Sequence, residues 1–534
     1  MTALLESEFE ADPPIAVRAG RHDFDGRLPD WSHDGIDREI RRLHAQRERT
    51  LRFSDDALDA DRRFERDYVV ATLDGTLFWL ESADLPFRDP TYYSDGLDPN
   101  VYVVREYAPL ADRLRAYIKF AKAIPSAAEQ IRRNVRTPMP RTYVQVGRIT
   151  FGGLAKFYEE EVPAIFAPVA DAGLQAELRQ ANAGAIAAMR GLDAWLAAQE
   201  ATATDRFALG AEKFSEMLRR TELVDVPLPQ LKAVAERDLA RNLAALHAAC
   251  EVYAPGQSDE SCVAKMQADK PDGAAVERAQ AQLARLKAFV EESAIVTIPA
   301  PDEAKVAEAP AYERWNLAYV RIPGPYEKNL AATYYISPPD PAWTQAEQNA
   351  YIPGKASLLI TSVHEVWPGH FLQFLHSNRS KSKVGQVFTN YAFSEGWAHY
   401  AEEMMWQAGL GQGDPETHIG QLSGALLRDV RLLSAIGLHT GGMTVAESET
   451  LFRAKAFQDP GNARQQAARG TFDPGYGNYT LGKLMIMKLR NDWTATRGGR
   501  SAWKAFHDKF LSYGAPPVPL VRRAMLGEAA GSLF

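Results

Sequence analysis

The stretch "SVHEVWPGHFLQ", residues 362–373, carries two histidines and a glutamate in an unusual spacing. In the H-E-x-x-H pattern of zinc enzymes, two histidines four residues apart share one helix face, and the glutamate after the first histidine is the general base. Here His370 follows His364 after six residues, with a proline and a glycine between them, and Glu365 directly follows the first histidine. The stretch is therefore either a metal site with an altered backbone or a chance arrangement.

The spacing itself predicts a change in the backbone. At about 100° per residue, six residues turn the second histidine roughly 240° away from the first, which is the wrong side of a regular helix. Proline leaves a carbonyl one turn back unpaired, and bulges that widen a helical turn recur at functional sites. We predict that Trp367-Pro368-Gly369 bulges outward and returns His370 to the ion held by His364. In the alternative, both histidines only cap helices or pack in a core.

A second stretch, "NYAFSEGWAHYAEEMMW" at residues 390–406, shows two stripes of helical spacing. The apolar stripe, which should face the core, consists of Phe393, Trp397, Tyr400 and Met404. The polar stripe consists of Glu395, His399 and Glu402. A catalytic zinc usually has three protein ligands, often two histidines and a glutamate, and His364, His370 and Glu395 complete such a set. We expect His399 and Glu402 to orient a ligand or the metal, the alternative being a simple surface pair.

Composition limits the class of protein. With 534 residues, 46% hydrophobic and 24% charged, the chain can bury a large core and form one large domain or two closely packed ones. A net charge of −8 gives no reason to expect nucleic acid as a partner. The first residues lack the features of an export signal, and no apolar run approaches the ~20 residues of a membrane span, so we expect a cytoplasmic protein without a membrane partner. Cys250 and Cys262 are expected to be free thiols, although a single bridge is conceivable.

A change in residue pattern near position 295 divides the chain into two parts. Residues 1–295 are predicted to form an N-terminal helical lobe, because apolar residues recur at helical spacing in stretches such as 228–250. Prolines cluster between 296 and 354, and the β-rich runs at 317–322 and 332–337 predict a few strands. Helix returns from Lys355 onward. We therefore predict a mainly α fold with a small β element near the metal site, and a metal-binding catalytic lobe at 296–534 packed with the first lobe as one unit.

Further polar residues downstream are candidates for binding a substrate. Arg428, Arg431 and His439 share one face of a predicted helix, and Tyr479 and Arg490 share a face of another, about 16 Å apart. Hydrolysis of a carbonyl needs a donor aimed at the developing oxyanion, and Tyr479 and His439 are the candidates. The three arginines can each form a forked pair with the free carboxylate of a peptide. For each arginine, a structural or solvated role is the alternative.

Several motifs together resemble a known family. The pair "HEVWPGH" and "FSEGWAHYAEE", followed by "RLLSAIGLHTGGMT", "YTLGKLMIMKLR" and "FHDKFLSYGAPPVPLVRRAM", resembles the bacterial DUF885 family over nearly the whole chain. That family is similar to gluzincin metallopeptidases, which are large, mainly helical proteins with a deep cleft. The resemblance implies His364, His370 and Glu395 as metal ligands and Glu365 as general base. One departure is Ala435, which stands where members usually carry an acidic residue.

The sequence thus leads to an expected activity and two alternatives. We expect a zinc-dependent metallopeptidase or other hydrolase that holds one Zn²⁺ per chain and cleaves a peptide or small amide substrate, although imidazole and carboxylate accept other divalent metals. Glu365 would be the base, and Tyr479 or His439 would stabilise the oxyanion. The alternatives are an amidohydrolase or lyase acting on a specialised small metabolite, and a scaffold that only holds the metal. Three protein ligands would argue against the scaffold, because structural zinc sites usually have four.

Overall fold

Helices form almost all of the regular structure before residue 295, as the periodicity predicts. The computed structural model describes residues 2–310, 313–314, 317–527 and 531–534. The helices are α1 (Thr2–Ala11), α2 (Pro13–Ala19), α3 (His33–Leu51), α4 (Ala60–Leu77), α5 (Leu85–Arg88), α6 (Asn100–Val103), α7 (Leu110–Asn134), α8 (Arg141–Glu160), α9 (Val162–Phe166), α10 (Ala172–Ala197), α11 (Ala211–Thr221), α12 (Leu228–Tyr253), α13 (Asp259–Ala268) and α14 (Ala275–Ser293). Several begin at an aspartate or serine whose side chain accepts a hydrogen bond from a backbone N–H of the first turn, for example Ser32, Asp59 and Asp171.

A small three-stranded sheet follows these helices. Its strands are β1 (Ala304–Glu308), β2 (Ala318–Arg321) and β3 (Ala332–Ile336), in the order β1-β3-β2, with β1 parallel and β2 antiparallel to β3. The β-rich runs correctly predicted β2 and β3, whereas β1 lies in the proline-rich segment and carries no β-rich pattern. The central strand is the most buried, and the pKa of its Tyr334 is raised by burial and by the nearby charge of Glu365. The sheet therefore lies beside the H-E motif.

Helices return after the sheet and continue to the end of the chain. They are α15 (Gln345–Tyr351), α16 (Lys355–Glu365), α17 (His370–Ser377), α18 (Lys383–Val387), α19 (Tyr391–Ala408), α20 (Pro415–Thr440), α21 (Val445–Ala456), α22 (Pro460–Phe472), α23 (Asn478–Thr494), α24 (Trp503–Leu511) and α25 (Val518–Leu526). Short 3-10 turns lie at His22–Phe24, Asp55–Ala57, Pro90–Leu97, Glu200–Thr202, Leu410–Gly413 and Gly499–Ala502, and a π-helical turn lies at Phe78–Ser82. Among the described residues, no helix has the length and apolarity that a membrane crossing requires. The fold is mainly α with a small β element, as predicted.

Two large hydrophobic cores lie in different parts of the chain. One is built from residues between 5 and 196. The other combines Phe78, Ala83 and residues of α11 to α14 and the sheet with residues of the helices from α16 onward. Within it, α12 packs along α20, so that a helix of the predicted N-terminal lobe lies against the helix that carries Arg428 and Arg431. The division of the chain at 295 and the depth of the cleft stay predictions.

The two cysteines form a disulfide, so the expectation of free thiols is wrong. Cys250 lies in the last turn of α12 and Cys262 in α13, and their Cα atoms are 5.8 Å apart. The short segment between them folds α13 back onto the end of α12, and both side chains are buried in the core. Sequence spacing does not reveal this, because the approach of two helices decides whether two cysteines can join.

Candidate metal centre

The two histidines of the first motif lie on two separate helices. Helix α16 ends at Glu365, one residue after His364, because Val366 leaves the helical region with φ −123° and ψ −73°. Helix α17 then begins with His370 itself. The predicted outward bulge is therefore wrong in two respects. The segment interrupts the helix completely, and it points inward, since Trp367 is fully buried.

Gly369 lets this break fold back over the preceding helix. Its N–H donates to the carbonyl of Val363 at 3.0 Å, and a Cβ built on it would lie 1.7 Å from the carbonyl oxygen of His364. No side chain fits at such a distance, so the return of the chain requires glycine. The result is that the imidazole rings of His364 and His370 lie 4.8 Å apart between centroids, almost perpendicular to each other.

Glu395, in the second turn of α19, brings the third candidate ligand to the same point. Its Oε2 lies 3.3 Å from Nε2 of His364 and 3.2 Å from Nε2 of His370. This buried oxygen accepts no hydrogen bond from the described residues. Ligands about 2.1 Å from a tetrahedral zinc lie about 3.4 Å from one another. The three side chains thus have the separations and the donor types of a metal site.

Glu402 fixes the orientation of His364. Its Oε1 lies 2.7 Å from Nδ1 of His364 and 3.1 Å from Nη2 of Arg428. Arg428 Nη2 also lies 3.3 Å from Nδ1 of His364. Nδ1 can be a donor to Glu402 or an acceptor from Arg428, but not both. Because the contact with Glu402 is shorter, we assign the hydrogen to Nδ1. The lone pair of Nε2 then faces Glu395. Although burial acts to raise it, the charge of Arg428 and the contacts with His399 and His364 hold the pKa of Glu402 well below its usual range.

His370 and His399 complete the surroundings of the triad. Nδ1 of His370 lies 3.3 Å from the hydroxyl of Ser394, which leaves Nε2 directed at Glu395. His399 is fully buried, its Nδ1 lies 3.3 Å from Glu402 Oε2, and burial lowers its pKa to about 3, so the ring is neutral. His399 and Glu402 therefore lie behind His364, as the polar stripe of α19 predicts, and neither belongs to the ligand triad.

Glu365 and Tyr479 lie beside the triad. Glu365 is 7% exposed, and burial raises the pKa of its carboxyl, an effect that the neighbouring imidazoles of His364 and His370 oppose. The ring of Tyr479 is nearly parallel to that of His364, with centroids 6.2 Å apart, and the pKa of its hydroxyl is raised by burial and by the charge of Glu395. Tyr479 reaches this position because α19 and α23 approach closely, with Gly396 against Gly482.

Two of the three predicted arginines also lie in this region. Arg428 contacts Glu402, and its guanidinium carbon lies 5.6 Å from the ring centre of Tyr479. Arg431 is 7% exposed, its guanidinium carbon lies 4.9 Å from the same ring, and its Nε donates to Oε1 of Gln466 at 2.8 Å. Ala435, one turn further along α20, is fully buried. Alanine at this position provides no carboxylate that could pair with Arg431.

His439 and Arg490 are bonded elsewhere. Nε2 of His439 donates to the carbonyl of Gly470 at 2.8 Å, while its Nδ1 accepts the N–H of Leu209. Both ring nitrogens are thus in use, and the predicted role at an oxyanion does not fit this geometry. Arg490 donates to the hydroxyl of Tyr400 and to Gln407 and lies over the ring of Trp503. It supports the packing of α23 against α19 and α24, so it is not placed to bind substrate beside the triad.

Arg469 and Tyr391 lie near Tyr479, and neither was predicted from the sequence as a site residue. Arg469 of α22 pairs with Asp473 at 2.9 Å and donates to the hydroxyl of Tyr391 at 3.1 Å. Tyr391 in turn lies edge-on to the ring of Tyr479, with centroids 5.9 Å apart. The four-residue spacing of Arg469 and Asp473 indicates a helical ion pair and nothing more. How close this ion pair lies to the candidate metal centre depends on how α22 packs.

Comparison with known proteins places the chain in a family without assigning an activity. A family model described as "Bacterial protein of unknown function (DUF885)" matches residues 13–525. A solved "putative lipoprotein of unknown function" from Shewanella oneidensis is 24% identical, covers 98% of each chain and has a TM-score of 0.80. A "putative lipoprotein" from Colwellia psychrerythraea is 15% identical, covers 97% of this chain and 96% of its own, and has a TM-score of 0.81. No match was found among the curated proteins. At these identities the two solved structures show a shared fold.

Proposed function

The chain belongs to the DUF885 family, and we propose that it is a metal-dependent hydrolase of the gluzincin type that cleaves a peptide or other amide bond. The observation that carries this proposal is the convergence of Nε2 of His364, Nε2 of His370 and Oε2 of Glu395 at separations suited to one ion. The buried carboxyl of Glu365 beside these ligands supports catalysis rather than metal storage.

Zinc is the metal we propose, with one ion per chain. His364, His370 and Glu395 would hold it, and Glu402 would keep Nδ1 of His364 protonated so that Nε2 can bind. When bound, zinc lowers the pKa of a water molecule and polarises a carbonyl. Imidazole and carboxylate also accept manganese, iron or cobalt, so the ligand types favour zinc without excluding these ions.

The chain's own residues would supply the proton transfers. Glu365 would accept a proton from the attacking water and donate it to the leaving nitrogen, and burial, which raises the pKa of its carboxyl, favours uptake of that proton. The hydroxyl of Tyr479, whose ring lies nearly parallel to that of His364, would donate a hydrogen bond to the oxygen of the scissile carbonyl.

The metal-holding scaffold is the weaker alternative. Structural zinc sites usually have four protein ligands, whereas the group found among the described residues has three. An amidohydrolase or lyase for a small metabolite would use the same three ligands, so the substrate decides between it and a peptidase.

The cellular location of the protein stays a prediction that the disulfide calls into question. We expected a cytoplasmic protein, whereas a disulfide such as Cys250–Cys262 is typical of oxidising compartments. Fractionating the native cells and labelling free thiols in each fraction distinguishes a cytoplasmic location from an oxidising compartment. A cytoplasmic protein with two labelled cysteines would support the first location, and an unlabelled protein outside the cytoplasm the second.

Elemental analysis combined with a hydrolysis assay tests the proposed function. The purified protein should contain about one divalent ion per chain and should release amines from a mixture of peptides and N-acyl amino acids. Glu395→Ala should abolish both properties. Undiminished stoichiometric metal in the Glu395 variant would remove that residue from the site, and absence of metal in the parent after incubation with zinc would refute the proposal.

A further inference from the structure

Arg431 is a buried cation without an acidic partner among the described residues. Its Nε donates to Oε1 of Gln466, while its two terminal nitrogens have no hydrogen-bond partner in the described part of the chain. Burial and the neighbouring guanidiniums of Arg469 and Arg428 lower its pKa. The phenol groups of Tyr479 and Tyr391 act in the opposite direction, but no carboxylate of the described residues pairs with Arg431.

The neighbouring arginines already have carboxylates of their own. Arg428 contacts Glu402 at 3.1 Å, and Arg469 pairs with Asp473 at 2.9 Å. Position 435, where a helical carboxylate four residues after Arg431 could form a pair, carries alanine. Burial of a charge is strongly unfavourable unless the charge is paired, so a cation retained in this state indicates that an anion arrives from outside.

Arg431 lies within reach of the candidate metal centre. Its guanidinium carbon is 4.9 Å from the ring centre of Tyr479, and that ring centre is 6.2 Å from the ring centre of His364. An extended peptide advances about 3.5 Å per residue. A carboxylate bound by Arg431 would therefore belong to the residue next to the scissile amide or to the one after it.

We infer that Arg431 binds a free carboxylate of the substrate, so that the protein acts on peptides or N-acyl amino acids that carry a carboxylate one or two residues from the scissile amide. The planar guanidinium offers two parallel N–H groups that match the two oxygens of a carboxylate. This inference rests on the proposed hydrolase function of the adjacent metal centre.

Matched substrate pairs test the inference. Each pair consists of an N-acetyl dipeptide with a free terminal carboxylate and the same dipeptide as its terminal amide, assayed with zinc-loaded protein. The parent should prefer the carboxylate by about 10- to 100-fold in kcat/KM, as expected for one charge-assisted bond. Arg431→Met should remove that preference, mainly by raising KM for the carboxylate, so that kcat/KM for the acid falls to about that for the amide.

Arg490→Met serves as the matched control, because Arg490 is equally buried but has partners for its guanidinium. This control should lower the melting temperature and keep the carboxylate preference. Arg431→Met should keep or raise the melting temperature, since it removes an uncompensated charge. A second variant, Ala435→Asp, would supply a carboxylate from the same helix and should also abolish the preference.

Each outcome bears on the inference separately from the proposed function. Equal cleavage of carboxylate and amide by the parent would overturn the inference while still supporting a hydrolase. If neither is cleaved, thermal shift of the zinc-loaded protein with N-acetylglycine and N-acetylglycinamide replaces the assay. Stabilisation by the acid alone, lost in Arg431→Met, would support the carboxylate site. Equal or absent stabilisation by the two compounds would overturn it.

Discussion

Nδ1 of His364 lies 2.7 Å from Oε1 of Glu402, and this contact directs Nε2 of the same ring toward His370 and Glu395. Helix α19 thus provides both a candidate ligand and the carboxylate that orients another ligand. Because Glu395 and Glu402 are seven residues apart, they lie on one helix face two turns from each other. One helix therefore determines much of the geometry of the centre.

Replacing Glu402 should weaken metal binding without removing a ligand. We expect Glu402→Ala to bind zinc about 10- to 100-fold more weakly, because the tautomer and the ring orientation of His364 are no longer held. Competition with a chromophoric chelator measures the affinity. Glu403→Ala is the control, since Glu403 is also buried but pairs with Arg241 and Lys483. Equal losses of zinc affinity in both variants would show that Glu402 acts only through general stability.

Gly369→Ala should disrupt the return of the chain to the metal. The added methyl group would lie 1.7 Å from the carbonyl oxygen of His364, so the backbone must move and His370 with it. We expect loss of stoichiometric zinc and a decrease of about 3 kcal/mol in the free energy of unfolding, measured by urea denaturation. Gly191→Ala in α10 is the control, because nothing lies within 4 Å of its added methyl group. It should leave zinc binding unchanged and increase stability by up to about 1 kcal/mol. Full zinc content in Gly369→Ala would contradict the role given to the break.

The variant Tyr479→Phe tests whether the hydroxyl of Tyr479 stabilises the transition state or whether the side chain only packs against its neighbours. Loss of one hydroxyl donor should lower kcat by about 10²- to 10³-fold and change KM little, with zinc content unchanged. Steady-state kinetics on any cleaved amide measures both constants. Tyr400→Phe removes a hydroxyl that contacts His507 and Arg490 and should leave kcat as in the parent. An unchanged kcat for Tyr479→Phe would show that the hydroxyl of Tyr479 does not stabilise the transition state.

His439 should make the fold sensitive to acid. Burial lowers the pKa of this ring from 6.5 to about 4, so its contribution to stability is complete above pH 6.5 and is lost as the pH falls toward 4. The loss amounts to about 3 kcal/mol for this residue. We expect the free energy of unfolding of His439→Gln to depend less on pH between 7 and 4 than that of the parent. Parallel pH profiles for the two proteins would show that His439 titrates normally.

The sequence revealed local features of the centre better than its long-range contacts. The stripe of Glu395, His399 and Glu402 was predictable, because helical periodicity alone puts the three side chains on one face. The same periodicity was misleading for His439 and Arg490. Residues eleven apart on a helix share a face but lie about 16 Å apart along it, so they meet different neighbours.

Other features depended on contacts between distant segments. The break at Gly369 could be predicted as a disturbance of the helix, but its inward direction depends on a close approach to His364 and on burial of Trp367. The disulfide depends on how α13 turns back onto α12. The unpaired charge of Arg431 is visible only once the partners of Arg428 and Arg469 are known.

The measurement that tests the proposed chemistry most directly is hydrolysis by Glu365→Gln. Glutamine keeps the size and the hydrogen-bonding capacity of glutamate but cannot carry the proton, and removal of a general base typically costs about 10²- to 10⁴-fold in rate. Zinc content and melting temperature should stay close to those of the parent, while kcat on a peptide or N-acyl amino acid that the parent cleaves falls by that factor. Full activity in this variant, with zinc retained, would contradict Glu365 as the base and with it the proposed mechanism.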